Sequence, residues 1–468
     1  MHKPAILFAL IPALALGACV AGPPPEMATP VPELPSEFMF AAGASSDASV
    51  AQLLPRNDPA YQALASQALA DSPTLAEAIA RIDQARAGAA RAGANQLPNV
   101  GANGSVTGSR TNLNIPATSP FSIETEQVSY SANLVASWDP DIFGVLRAQE
   151  RAAVARIDAA QAGAAAVRLA LLAEIAGTVI DWRTIEARQI ALQRDLDAAQ
   201  ELVRLSRLRE DAGIAPGFDT VRAATAAASS RSRLASLASE RNRLAGRLVT
   251  LTAQPMPQVL ETLAQPAPPH TLPDAPETAP SVLLTNRPDV LRSAANLTAA
   301  DAELAATARS RFPQFDLSAA LGLLSFDLGD LLDEDSIVGS LAASVAAPLL
   351  DFGRLEAEID GAEAEKRAAF QAYRGAVYTA LGDAETGYGL VASTDAEAEF
   401  AIAERNSAER AASLANTRFE AGLADFLTVL DARRTADASG ERAAAAIGRA
   451  RRARVLLWQA LGGDSQTD

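Results

Sequence analysis

The sequence predicts a mainly α protein with a small membrane β part, built as two internal structural repeats. Each repeat joins a pair of strands to very long helices, and strands from several chains close one barrel. Three observations carry that expectation. The two halves of the chain follow the same order of parts at an offset of roughly 210 residues. Four short segments alternate apolar with small polar residues. Two alanine-rich stretches, 144–211 and 353–420, contain no proline.

The composition agrees with long helices. Of the 468 residues, 49% are apolar but only 5% aromatic, which is ample for a large core yet poorer in rings than an ordinary globular enzyme. The formal net charge is −16, and lysine occurs only at Lys3 and Lys366. Nucleic acid is therefore not an expected partner, because displacing its counterions needs a clustered basic surface that this chain lacks.

Residues 1–18 have a basic start, an apolar run from Ala5 to Leu16 and small residues before a cysteine. That run is too short to span a bilayer and fits a secretory signal peptide. Leu16-Gly17-Ala18-Cys19 resembles the bacterial lipobox, which places a covalent lipid on Cys19. Cys19 is the sole cysteine, so no intramolecular disulfide competes for it. The competing reading is an incidental cysteine in an ordinary signal peptide. Val20 is not the aspartate that typically retains lipoproteins in the inner membrane, and outer-membrane sorting follows by resemblance. Residues 19–71 are read as the lipidated N-terminus and an extended tether, with Pro23 to Pro35 its stiffest part.

The first repeat spans 72–254 and the second 281–464, separated by a proline-rich linker at 255–280 and followed by a tail at 465–468. Each opens with a helix that starts at Pro73 or Pro288, where a first helical turn tolerates proline, and gives way to extended chain at Pro98 or Pro313. Two alternating segments follow. Val100, Ala102, Gly104 and Val106 oppose Asn103, Ser105 and Thr107. Val128, Tyr130, Ala132, Leu134 and Trp138 oppose Ser129, Ser131, Asn133 and Ser137. In the second half Phe315, Leu317, Ala319 and Leu321 oppose Asp316 and Ser318, and Ile337, Leu341, Val345 and Leu349 oppose Ser340 and Ser344. One apolar and one small polar face suits a barrel strand between lipid and a watery lumen. A half-buried soluble sheet gives the same alternation. Four strands cannot close a membrane barrel around a pore, so several chains must contribute. The connections at Asn112 to Ser122 and Asp327 to Ser336 are polar and fit exposed turns.

Phe143-Gly144 and Phe352-Gly353 open the long helices, which end at Ala212-Gly213 and Ala421-Gly422, where glycine supplies a left-handed cap. At ~1.5 Å per residue each could reach on the order of 100 Å if continuous. Return helices then run to Leu251 and Leu461. Ala153, Ile157, Ala160, Ala164, Val167 and Leu171 follow the spacing of a helix seam, which a soluble coiled coil would also show. Gly375, Gly382, Gly387 and Gly389 interrupt the second long helix at roughly 1 kcal/mol each relative to alanine.

Chemistry is sparsely provided for. His2 lies in the signal and His270 in the linker, there is no second cysteine, and no Gly-Lys pair ends a phosphate-binding loop. Carboxylates are plentiful, but on long helices they usually form a solvated face. The chain is not expected to be an enzyme or to hold a cofactor or metal.

The layout resembles the TolC-like outer-membrane efflux family, in particular its NodT-type lipoprotein branch, over nearly the whole mature chain. The likeness rests on Cys19 in its lipobox, Trp138-Asp139-Pro140-Asp141-Ile142-Phe143-Gly144, Arg287-Pro288-Asp289-Val290, Arg418-Phe419-Glu420-Ala421-Gly422 and Phe426-Leu427-Thr428-Val429-Leu430-Asp431-Ala432. Pro140 departs from the pattern, which commonly has leucine there. The resemblance implies a homotrimer whose four strands per chain form one outer-membrane barrel continued by a coiled-coil helical tunnel across the periplasm. It implies docking to a periplasmic adaptor and an inner-membrane pump, and passive efflux of drugs, metals or small metabolites. A duct for type I protein secretion and a periplasmic scaffold without a pore are the alternatives.

Leu427 and Asp431, four residues apart, share one face of the returning helix. In the resembling family the matching leucine and aspartate line the resting constriction, which makes them the expected periplasmic gate. Taken alone, Asp431 reads as a solvated carboxylate near a helix start and Leu427 as core. Arg222 stands at the position equivalent to Asp431 in the first repeat, where it could contact Asp431 from a neighbouring helix.

Overall fold

The computed structural model describes residues 33–110, 126–269 and 272–464. Cys19, His270 and the connection at Asn112 to Ser122 lie outside them. In chain order the principal elements are α1 (Pro59–Asp71), α2 (Pro73–Ala94), β1 (Asn99–Arg110), β2 (Glu126–Trp138), α3 (Val145–Asp211), α4 (Gly217–Thr252) and α5 (Met256–Leu263). After these come α6 (Leu283–Asn286), α7 (Pro288–Arg309), β3 (Gln314–Ser325), β4 (Ile337–Ala346), α8 (Arg354–Glu420) and α9 (Phe426–Ala460). The order helix, two strands, long helix, return helix occurs twice. Both long helices are continuous and 67 residues long. The chain separates into two compact units, one within Ile82–Ala159 and Ala294–Ala372, the other within Val31–Arg81, Ala160–Ser293 and Tyr373–Asp468.

The first unit holds the sheet. Its four strands are antiparallel in the order β1-β2-β3-β4. Residues directly opposite in register point to the same side. Val106 faces Tyr130, Ala102 faces Leu134, Leu134 faces Leu321 and Phe315 faces Val345, which makes one apolar face across all four strands. Asn103 faces Asn133 and Asp316 faces Ser344 on the other side, where the hydroxyls of Ser105 and Ser131 are hydrogen-bonded at 2.9 Å. That second face is less uniformly polar than the alternation implied, since Val135, Leu324 and Val338 share it. Leu349 does not belong to the apolar face. β4 ends at Ala346, and Pro348, which has no backbone N–H, follows.

The turn from β2 into α3 is built on Asp141. Its carboxylate accepts from the backbone N–H of Leu146 at 3.0 Å and of Arg147 at 2.9 Å, satisfying donors that the first helical turn leaves free. Phe143 stacks on Phe312 with ring centres 4.9 Å apart. The turn thus stands with Pro140 in it. Helix packing in this unit runs on alanine: Ala148, Ala152, Ala155 and Ala159 of α3 are buried, as are Ala299, Ala302, Ala306 and Ala308 of α7. Of the expected seam, Ala153 and Leu171 are buried while Ile157, Ala160, Ala164 and Val167 are half-buried. The spacing was legible, but the most buried line lies beside the expected one, because a bundled helix touches more than one neighbour.

The second unit has the main apolar core, centred on Ile175, Val179, Leu192, Leu248, Leu263, Leu283, Tyr388 and Leu457. One window of α3 is long and apolar enough to cross a membrane, but more than half of it is buried within the protein. The region assigned to the tether is not extended throughout. Pro59 sits in the first turn of α1, Asp58 caps that helix by accepting from the Ala60 N–H at 2.9 Å, and Leu64 and Ala68 are fully buried. The proline-rich linker likewise contains α5, whose Val259 and Leu263 are fully buried. In both places proline marks a helix start, which composition alone reads as extended chain.

The glycines of α8 divide in two. A Cβ on Gly387 would stand 3.2 Å from Cα of Leu457, and one on Gly389 3.8 Å from the Phe40 ring. Among the described residues Gly375 and Gly382 meet nothing within 4 Å, and nothing there explains them.

Candidate functional site

Both long helices end in the same device. Gly213 has φ +70° and donates its N–H to Glu210 O at 2.8 Å, while Ile214 donates to Arg209 O at 3.0 Å. Gly422 has φ +73° and donates to Phe419 O at 3.0 Å, while Leu423 donates to Arg418 O at 2.7 Å. These paired bonds satisfy the last carbonyls and turn the chain back, a conformation glycine adopts without a Cβ penalty. Asp425 then caps α9, accepting from Thr428 N at 2.8 Å. Hydrogen bonds from the Thr428 side chain and backbone hold the Asp425 carboxyl below the ordinary carboxylate range.

The start of α9 has two faces. Phe426, Val429 and Leu430 are buried in a small satellite core with Leu202, Ala223, Ala415 and Phe419. Phe426 meets Phe419 edge-on with ring centres 6.2 Å apart, and the Arg209 guanidinium lies 4.7 Å above the centre of the Phe419 ring. Leu427 and Asp431 lie on the opposite face. Leu427 is 42% exposed and Asp431 is exposed. The shared face inferred from spacing is present, and both residues are exposed among the described residues of the chain.

Arg222 is half-buried, with its guanidinium 5.4 Å above the ring of Phe218 on its own helix. Among the described residues of the chain it forms no ion pair with Asp431. Two features went unnoticed in the sequence. Arg434 is exposed three residues beyond Asp431, on the same side of α9. Asp195 of α3 and Asp437 of α9 line a common cleft beneath this end. The first was legible from helical spacing; the second joins residues on different helices and had no local signal.

Comparison with known proteins places these elements in context. Residues 64–254 and 279–463 match the family model described as outer membrane efflux protein. The chain is 31% identical over 462 residues to the pyoverdine export outer membrane protein OpmQ of Pseudomonas aeruginosa, covering 97% of this chain and 96% of that one. It is 27% identical over 434 residues to the solvent efflux pump outer membrane protein SrpC of Pseudomonas putida, with 90% of each covered. With nodulation protein T of Rhizobium leguminosarum bv. trifolii it shares 26% identity over 441 residues, covering 90% and 89%. Among solved structures, the outer-membrane channel OprN superposes with a TM-score of 0.84 at 24% identity, covering 93% of this chain and 98% of that one. VceC of Vibrio cholerae superposes with a TM-score of 0.78 at 26% identity, covering 88% and 98%.

Proposed function

The chain belongs to the outer membrane efflux protein family, and from that premise we propose that three copies assemble into one passive duct through which an inner-membrane pump, joined by a periplasmic adaptor, exports small molecules. The observation that carries this reading is the open sheet. β1 and β4 stand at its two edges and are exposed along their whole length. Unpaired edge groups are not tolerated in hydrocarbon, so the sheet must close, and four strands are too few to close around a pore alone. Pairing β4 of one copy with β1 of the next removes every edge and keeps the apolar face outward.

Leu427 and Asp431 form the gate of this duct in our reading. Their exposed face leaves them free to meet the same residues of two neighbouring copies around the axis. Close carboxylates would repel and favour cations, so the closed state depends on donors such as Arg222 or Arg434 from an adjacent helix. The relatives' names specify export of pyoverdine and of solvents, which supports a small-molecule cargo. A lipid on Cys19 would supplement the anchoring that the barrel provides.

Planar-bilayer recording of the purified full-length protein tests the reading, together with native mass spectrometry of its assembly. The expected result is a trimer with discrete conductance steps that are cation-selective. A trimer that does not conduct under any applied voltage, or a protein that remains monomeric in the membrane, would overturn it.

A further inference from the structure

Two carboxylates meet inside the helical unit, away from the exposed gate face. Asp195 of α3 and Asp437 of α9 stand close enough that each carboxyl acts on the other's affinity for a proton. They line a cleft of about 340 Å³ and also a second one of about 480 Å³. Oδ2 of Asp195 is shut off from solvent and meets no N–H or O–H donor among the described residues. Ionised carboxylates only accept, so two of them cannot hydrogen-bond to each other. The arrangement is satisfied when one proton sits between the pair.

Several of the surrounding charges are paired with one another. α3 contributes Arg188 and Arg194, α4 Arg233, α8 Arg405 and Glu409, and α9 Arg433, Arg434 and Glu441. Arg233 donates to Glu441 at 3.0 Å, and Arg188 reaches the same Glu441 at 3.6 Å. Arg405 is 3.9 Å from Glu409. Arg233, and after it Arg433, draws Asp437 toward ionisation, and Arg233 does the same to Asp195, whereas Glu441 opposes a second negative charge on the pair.

We propose that Asp195 and Asp437 form a proton-binding site that ties α3 to α9, so that one bound proton holds these helices together and its loss drives them apart on the helix that carries Leu427 and Asp431. Burial first, then the neighbouring Asp437 carboxyl and its charge, pushes the Asp195 carboxyl up to about 8. Burial raises Asp437 as well. Folding raises the affinity for the proton, so the tie is complete below the ordinary carboxylate value of about 4, weakens as pH climbs, and is lost above about 8. Acid closes and alkali loosens. The consequence for conduction rests on the duct reading; the proton site itself does not.

Infrared difference spectroscopy of the full-length trimer, titrated from about pH 6 to about pH 10, reads the site directly. The parent should lose a protonated-carboxyl carbonyl band across that interval, and Asp195→Asn and Asp437→Asn should each lack it, while Asp431→Ala keeps it. In planar bilayers the resting conductance of the parent should rise severalfold over the same interval. Asp195→Asn should stay low throughout, because its amide donates to Asp437 at every pH. Absence of the band in the parent, or its survival in both asparagine variants, overturns the site. A conductance rise that persists unchanged in Asp195→Asn overturns its role in closure. A trimer that conducts at no pH would remove the duct reading instead, with the infrared result still deciding the proton site.

Discussion

Asp58 and Arg183 meet as a two-pronged ion pair: Nε donates to Oδ2 at 3.0 Å and Nη2 to Oδ1 at 3.1 Å, with the side chains 5% and 3% exposed. Arg183 also donates to Leu263 O at 3.0 Å, Gln265 O at 2.9 Å and Glu186 at 3.0 Å. Asp58 meanwhile caps α1. One contact therefore fastens the N-terminal helix and the end of α5 to the middle of α3. Asp58→Ala should strand a buried guanidinium and cost about 3–5 kcal/mol, read as a lower thermal midpoint by circular dichroism. Asp58→Ala with Arg183→Leu should recover much of the loss; a double variant no more stable than Asp58→Ala alone would show that the pair is not what matters.

The α8 glycines should respond in opposite directions. Gly387→Ala pushes a methyl against the Leu457 backbone, and such overpacking costs about 1–3 kcal/mol. Gly382 is exposed with open space around it, so Gly382→Ala should raise stability by up to about 1 kcal/mol. Melting curves of the two variants shifted in the same direction would contradict the distinction.

The sheet should tolerate charge on one face alone. Leu134→Arg or Val345→Arg on the apolar face should cost about 2–4 kcal/mol near the bilayer midplane. Ser131→Arg and Ser344→Arg should assemble almost normally. Folding yield into lipid vesicles measures this, and equal damage from both pairs would reverse the face assignment.

Replacing Leu427 and Asp431 together by alanine should raise resting conductance, weaken cation selectivity and sensitise cells to large antibiotics. The double variant behaving as the parent in bilayers would remove both residues from the gate.

Cys19→Ser should abolish acylation yet leave conductance largely intact, since the barrel already holds the membrane. Mass spectrometry finding the parent unmodified at Cys19 would refute the lipid.

The sequence by itself determined what is local along the chain. Alternation at period two placed β1 to β4 and their apolar face, Pro73 and Pro288 marked helix starts, and Gly213 and Gly422 marked the reversals. Each depends on backbone preferences within a few residues. The common face of Leu427 and Asp431 followed from helical spacing in the same way. The tertiary structure decided who meets whom. It folded residues 59–71 into α1 instead of a tether, moved the most buried alanine line beside the expected one, gave Gly387 its neighbour at Leu457, and brought Asp58 to Arg183 and Asp195 to Asp437. No spacing encodes such pairs, because the partners lie on different helices and their approach is set by how the whole bundle packs, which periodicity leaves free.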